Sequence, residues 1–203
     1  MKGVMVNLSR CIGCRHCEIA CAVAHSQTKN LLTMIRETPV SFPRIFVETG
    51  INFLTFPNRC RHCEPAPCMQ VCPTHALYRD EKTGSVVVNY ERCINCTACS
   101  IACPFGIIQF KQVHGVSRTV NAKCDNCIER QKNGEIPACV EACKTGALEF
   151  GDINELIRTS RKDFTVRIIK SQGAEVEVPK IPENITAWRS ILEKIAHEGT
   201  FKL

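Results

Sequence analysis

Residues 11–21 read CIGCRHCEIAC, and residues 93–104 read CINCTACSIACP. Both carry the spacing Cys-x2-Cys-x2-Cys-x3-Cys, and the residues between the cysteines nearly repeat. Two more groups follow a second plan: residues 60–73 read CRHCEPAPCMQVCP, and residues 124–143 read CDNCIERQKNGEIPACVEAC. Each opens on Cys-x2-Cys, takes an insertion containing proline and closes on Cys-x3-Cys. Matching residues then follow: Thr74, Ala76 and Leu77 in one, Thr145, Ala147 and Leu148 in the other. All 16 cysteines of the 203-residue chain fall into these four groups. Such self-similarity marks a duplicated two-motif unit.

Sixteen cysteines admit disulfides, zinc or iron–sulfur clusters. Disulfides need an oxidising compartment. Residues 1–10, MKGVMVNLSR, contain no apolar h-region, no small-residue cleavage site and no twin arginine. The expectation is a cytoplasmic, reducing setting. A zinc ribbon pairs two Cys-x2-Cys hairpins around one tetrahedral ion and has no use for a third cysteine three residues on. A zinc-rich binding module is therefore the distant alternative. Three cysteines at Cys-x2-Cys-x2-Cys instead wrap a corner of a [4Fe–4S] cube, while the fourth opens a helix towards a second cluster. The expected cofactors are four [4Fe–4S] clusters.

Loop length does not decide which motifs pair. Pro73 and Pro104 do: each follows the last cysteine of its group, as in the Cys-Pro ending of two-cluster ferredoxin motifs. Motif two therefore pairs with three, and one with four. The expected ligand sets are Cys11, Cys14, Cys17 and Cys143; Cys124, Cys127, Cys139 and Cys21; Cys60, Cys63, Cys68 and Cys103; and Cys93, Cys96, Cys99 and Cys72.

Composition agrees. Hydrophobic residues make up 44% and aromatics 6% of the chain. Without cysteine the apolar share falls to about 36%, a thin core for this length. Metal ligation supplies folding energy where packing is short. The formal charge of +6 does not announce nucleic acid, because no basic tract carries interleaved aromatics. Four thiolate-ligated clusters contribute about −8, which leaves the chain near −2. No stretch approaches the ~20 apolar residues of a membrane helix, so no direct membrane insertion is expected.

The expected fold class is α+β: two ferredoxin-like bis-[4Fe–4S] modules with nested motif pairing. Residues 1–37 with 105–150 form the first, and residues 57–104 the second. An inserted hairpin, 38–56, turns at Thr49-Gly50, and 151–203 form a C-terminal α/β extension. Strands are expected at 40–47, 86–89, 107–110, 118–122 and 147–150. In the extension, a helix at 153–162 is capped by Asp152, strands cover 164–170 and 175–178, and a helix covers 182–197. The last helix has a stripe of Ile185, Trp188, Ile191, Leu192 and Ile195 that is expected to cover the protein's own cluster domain.

Several residues beside the motifs carry weaker signals. Lys144 stands where Pro73 and Pro104 stand elsewhere, and reads equally as a cation that favours a reduced cluster or as an exposed lysine with a weak, screened effect. His16, His62 and His75 are read as structural or surface residues, because every site already has four thiolates. The charged loop 128–138 is read as a solvated insertion. There is no G-x-G-x-x-G, P-loop or nucleophile elbow, so no catalytic residue is assigned.

Across residues 1–150 the chain resembles the four-cluster ferredoxin-like electron-transfer subunits (the DmsB and HycB kind). These serve molybdopterin oxidoreductases, formate dehydrogenases, formate hydrogenlyase and membrane hydrogenases. The opening CIGCRHCEIACAVAHS is most similar to the CooF-type iron–sulfur subunit of carbon monoxide dehydrogenase systems. The resemblance implies a relay without a catalytic site of its own. Electrons would come from the carbon monoxide dehydrogenase catalytic subunit and leave to a hydrogenase or other acceptor. The alternative is a subunit of a formate dehydrogenase, formate hydrogenlyase, aldehyde oxidoreductase or other molybdenum or tungsten enzyme.

Overall fold

The computed structural model describes residues 2–50 and 54–171. Two compact units divide the chain, Met1–Arg158 and Thr159–Leu203. In the first, short helices alternate with two-stranded ribbons. The elements are β1 (Lys2–Val6), α1 (His16–Ala24), α2 (Leu31–Met34), β2 (Ile45–Thr49), β3 (Thr55–Arg59), α3 (Pro67–Gln70) and β4 (Leu77–Arg79). There follow β5 (Val86–Val88), α4 (Ala98–Ile101), β6 (Phe110–Gln112), β7 (Thr119–Asn121), α5 (Ile128–Lys132), α6 (Ala138–Glu141), β8 (Leu148–Asp152) and α7 (Ile153–Ser171), whose residues from Thr159 on belong to the second unit.

Every ribbon is antiparallel, pairing β1 with β8, β2 with β3, β4 with β5 and β6 with β7. The β1–β8 ribbon sets Lys2 opposite Asp152 and Val6 opposite Leu148, which brings the first cysteine motif beside the fourth. Asn7 N–H then donates to the Ala147 carbonyl at 2.8 Å. The β4–β5 ribbon sets Leu77 opposite Val88 and folds the second motif back towards the third.

The core is small and rich in sulfur. Of 24 buried hydrophobic residues, eight are cysteines and none is aromatic among the described residues. Ile45 and Val47 from β2 pack with Cys17, Cys21, Cys139 and Leu148. Leu77, Val86, Ile107 and Ile108 pack with Cys60, Cys99 and Cys124. Cysteine is small, so these clusters close only around whatever the thiols hold.

The inserted hairpin runs later than its sequence suggests: residues 40–44 are not strand, and β3 continues to Arg59. Gly50 N–H closes the turn by donating to the Leu54 carbonyl at 2.7 Å. The expected strand 107–110 lies mostly before β6, and Ile107 and Ile108 are buried in irregular backbone. Strand 164–170 is overturned. The β-branched run Phe164–Lys170 is helical, the second half of α7. Phe164 is 62% exposed and finds no strand partner among the described residues. A lone strand would leave its backbone groups unpaired, whereas a helix satisfies its own. Asp152 starts α7 as expected, with Oδ1 accepting from the Asn154 and Glu155 N–H groups at 2.9 and 3.3 Å. The expected strand 175–178 and helix 182–197 lie outside the described residues.

A core this thin is sensitive to single methyl groups. Ile45 is 1% exposed, so Ile45→Ala is expected to cost about 2–5 kcal/mol in thermal unfolding of the iron-loaded protein. Ile101 is 84% exposed, and Ile101→Ala should change stability by no more than about 0.5 kcal/mol.

Candidate metal centres

The third residue of each Cys-x2-Cys has left-handed backbone: Gly13 (φ 71), His62 (φ 51), Asn95 (φ 58) and Asn126 (φ 61). Arg15 (φ 56) and Thr97 (φ 62) repeat it one step on in motifs one and three. Glycine and asparagine adopt this region readily, which is why the motifs carry them there. At Gly13 glycine is required twice over, because a Cβ would stand 2.8 Å from Thr55 Cγ2. The turn curls the loop around the cysteine ahead of it. His62 N–H approaches Cys60 Sγ at 3.5 Å, and Asn126 N–H approaches Cys124 Sγ at 3.3 Å.

The loops and the helices after them gather the thiols in fours. Cys11, Cys14, Cys17 and Cys143 line one cavity. Cys60, Cys63, Cys68 and Cys103 line another, and Cys72, Cys93, Cys96 and Cys99 a third. Cys21 is buried close to Cys124, Cys127 and Cys139. We call these the Cys11, Cys60, Cys93 and Cys124 sites. Each draws three cysteines from one motif and the fourth from another.

Burial dominates the thiol electrostatics. It pushes Cys127 up to about 12, with Cys124 and Asp125 adding to it, and it drives Cys21 well above the usual thiol range, with Cys124 and Cys139 adding. Cys72 and Cys143 differ. Burial raises them too, but it is outweighed by the Leu77 N–H and Thr74 hydroxyl at Cys72, and by the Thr145 hydroxyl and Leu148 N–H at Cys143. Both thiols therefore lie below the ordinary value. The repeated Thr, Ala and Leu after motifs two and four are thus a nest of donors for a thiolate.

A charged layer lies behind the thiols. Asp125 accepts from His25 Nε2 at 2.9 Å and pairs with Arg44 Nη1 at 3.1 Å. Burial raises its carboxyl, but the His25 hydrogen bond and the charges of His25 and Arg44 hold it well below the usual carboxylate range. Arg44 also donates its backbone N–H to Cys21 Sγ at 3.3 Å and Nη2 to the Tyr90 hydroxyl at 3.3 Å. His25, Asp125 and Cys127 bring ligand atoms within 4.8 Å of one another. The Asp125 oxygens in that group are already engaged by His25 and Arg44.

Of the residues singled out beside the motifs, Lys144, His16 and His75 are exposed. His62 is buried at 6% exposure. Its Nδ1 accepts from the Val86 N–H at 3.0 Å, so the ring proton is on Nε2, which is sealed from solvent without a protein partner. Spacing gives no sign of Arg59 and Lys123, which are 3% and 2% exposed. No carboxylate pairs with either among the described residues, and Arg59 Nε has no acceptor. Buried cations and an orphaned N–H cost several kcal/mol without a counter-charge. A dianionic, thiolate-ligated iron–sulfur cluster is such a counter-charge, and all-sulfur donor sets suit iron. The residues present fit the group.

Comparison with known proteins agrees. Residues 51–153 match the family of 4Fe-4S dicluster domains. Electron transport protein HydN of Escherichia coli (strain K12) is 40% identical over 168 residues, covering 77% of this chain and 91% of that protein. Protein NrfC of the same strain is 36% identical over 190 residues, covering 89% and 80%. The B subunit of anaerobic dimethyl sulfoxide reductase, again of that strain, is 38% identical over 168 residues, covering 76% and 75%. The chain carries [4Fe–4S] clusters and belongs to the 4Fe-4S dicluster family of iron–sulfur electron-transport proteins.

Proposed function

We propose that the chain relays electrons singly through four [4Fe–4S] clusters, one at each thiol site, between a donor and an acceptor docked at opposite ends. The observation that carries this reading is the sharing of each cavity by cysteines of two motifs, as with Cys143 among Cys11, Cys14 and Cys17. On it the motifs nest: residues 1–37 with 105–150 form one module, 57–104 the other, 38–56 the inserted hairpin and 151–203 the extension. When bound, each cluster supplies a one-electron couple.

The chain's own residues supply the rest. α1 carries Cys17 and Cys21, so it joins the Cys11 and Cys124 sites directly. The turn from α4 carries Cys99 and Cys103 and joins the Cys93 and Cys60 sites in the same way. Arg59 reaches Cys124 Sγ at 3.6 Å from its place beside Cys60 and links the two pairs. The order is then Cys11, Cys124, Cys60, Cys93. Burial of Cys21, Cys124, Cys127 and Cys139 keeps water from the Cys124 position, and at the Cys60 position Cys60 is buried while Cys63, Cys68 and Cys103 are half-buried. Cys14 and Cys96 are exposed, with Ile12 at 71% and Ile94 at 61% exposure beside them, and these mark the two ends where partners approach. Four thiolates at every site leave no iron open for substrate, so the chain conducts rather than catalyses.

The opening CIGCRHCEIACAVAHS supports the carbon monoxide dehydrogenase catalytic subunit as donor, with a hydrogenase or other acceptor. A second reading, a subunit of an anaerobic reductase, formate dehydrogenase or related molybdenum or tungsten enzyme, is favoured by the relative from anaerobic dimethyl sulfoxide reductase. The reading places the protein in the cytoplasm. No helix of the described residues is long and apolar enough to cross a membrane.

Two measurements test this. Cys17→Ser should remove the cluster shared with Cys143, about a quarter of the iron, and leave the Cys60 cluster intact. Loss of the Cys60 cluster alone contradicts the pairing. Second, the anaerobic iron-loaded protein is mixed with a catalytic amount of carbon monoxide dehydrogenase and CO. Fast bleaching of the cluster absorbance identifies the donor. No bleaching, with dithionite still reducing the clusters, excludes it and favours the second reading.

A further inference from the structure

Among the described residues, the two buried cations without a carboxylate, Arg59 and Lys123, lie at one place, the junction of the Cys60 and Cys124 sites. Arg59 Nη2 donates to Asn126 Oδ1 at 2.8 Å and approaches Cys124 Sγ at 3.6 Å, and its backbone leads straight into Cys60. Lys123 Nζ donates to the Cys124 carbonyl at 2.7 Å and to the Val86 carbonyl. Arg59 holds its charge against thiols of both sites. Burial works against the charge on Arg59, while Cys124, Cys139 and Cys60 favour it. Lys123 in turn favours the thiolate forms of Cys60 and Cys68, against the burial that raises both thiols. His62 adds a buried N–H at the Cys60 cavity, which it lines.

The end sites have neutral donor nests, at Cys72 and at Cys143, but no buried cation left without a carboxylate among the described residues. Cys93 and Cys99 receive the neutral Asn121 N–H and Nδ2 donors at 3.5 and 3.1 Å. Cys11 receives the neutral Thr55 hydroxyl at 3.2 Å. Arg15 and Lys144, the cations beside the Cys11 site, are exposed, and solvent and salt screen them. Arg44, the other buried cation at the Cys124 site, is balanced by Asp125 at 3.1 Å.

A cluster that gains one electron becomes one unit more negative. A fixed positive charge in a medium of low polarity therefore stabilises the reduced form more than the oxidised one. Donors to cluster sulfur act in the same direction. We propose that Arg59, Lys123 and the His62 N–H form one positive cradle that raises the reduction potentials of the two middle clusters above those of the two end clusters. The proposal rests on the four-site reading above. Its consequence is an electron well inside the wire. The first two electrons given up by the donor at one exposed end settle one on each of the Cys60 and Cys124 clusters, and a third entering the wire drives one on to the acceptor.

The test is a redox titration of the iron-loaded full chain, followed by electron paramagnetic resonance, on wild type, Lys123→Gln, Arg59→Gln and the charge-keeping Arg59→Lys. Iron and sulfide per chain are measured first. Wild type holding fewer than four clusters overturns the four-site reading and the proposal with it. With full iron, Lys123→Gln and Arg59→Gln should each move the same two reduction steps to more negative potential and leave two in place, and Arg59→Lys should return them. Four unmoved steps, or four steps moving together, overturn the cradle while leaving the four-site reading intact. If neutralising a buried charge prevents loading, the exposed end ligands decide the matter. Cys14→Ser and Cys96→Ser should each shift or abolish one of the two lowest-potential steps. A change in the highest step instead overturns the proposal.

Discussion

Thiolate coordination of iron is the interaction on which the rest of this structure depends. Eight of the 24 buried apolar residues are cysteines and none is aromatic among the described residues, where Phe42, Phe46, Tyr90 and Phe110 pack against the core only half-buried. Burial raises Cys17, Cys68 and Cys139 to about 11 and Cys127 to about 12, so protonated thiols are what the polypeptide alone would hold there. Iron replaces those protons, and its ligation energy becomes folding energy. The same centres answer the charge problem. Arg59 and Lys123 are buried without a carboxylate among the described residues, an arrangement that a resident anion makes tolerable.

Duplication of the motif is visible at the level of single dihedral angles. Gly13 and Asn95 occupy equivalent positions in motifs one and three, and both are left-handed, as are Arg15 and Thr97 after them. His62 and Asn126 stand in the same relation in motifs two and four. The donor nests at Thr74 and Thr145 repeat as well, with hydroxyls 3.8 and 3.7 Å from Cys72 and Cys143. What differs between the copies lies behind these loops. His62 places a ring where Asn126 places an amide, and Asn126 spends that amide on the Ser85 hydroxyl and Arg59. One geometry is thus held in four different electrostatic surroundings, which is how a relay acquires unequal steps.

Sequence spacing makes the cofactor and the family legible, because cluster binding needs cysteines at fixed intervals and little else. It also locates the hairpin around Thr49-Gly50 and the Asp152 cap, both set by local chemistry. Charge behind the sites is not legible. Lys144 stands out in the sequence as the cation beside a ligand, yet it is exposed, while Lys123, equally adjacent to a ligand, is fully buried. Adjacency in the chain says nothing of burial, and β5 closing over Lys123 through the Val86 carbonyl is a long-range event. The buried place of His62 escapes the spacing for the same reason. The run Phe164–Lys170 misleads differently: its β-branched residues suit a strand, but no second strand meets them among the described residues, and α7 runs through.

We infer that bound iron, more than apolar packing, holds the first unit together. The direct test is to strip iron and sulfide anaerobically with a chelator and reductant, and to follow far-ultraviolet circular dichroism and amide chemical-shift dispersion. The predicted result is a single cooperative loss of structure as iron leaves, reversed when iron and sulfide are restored. An apo-protein that keeps native circular dichroism and dispersed amide signals would contradict it.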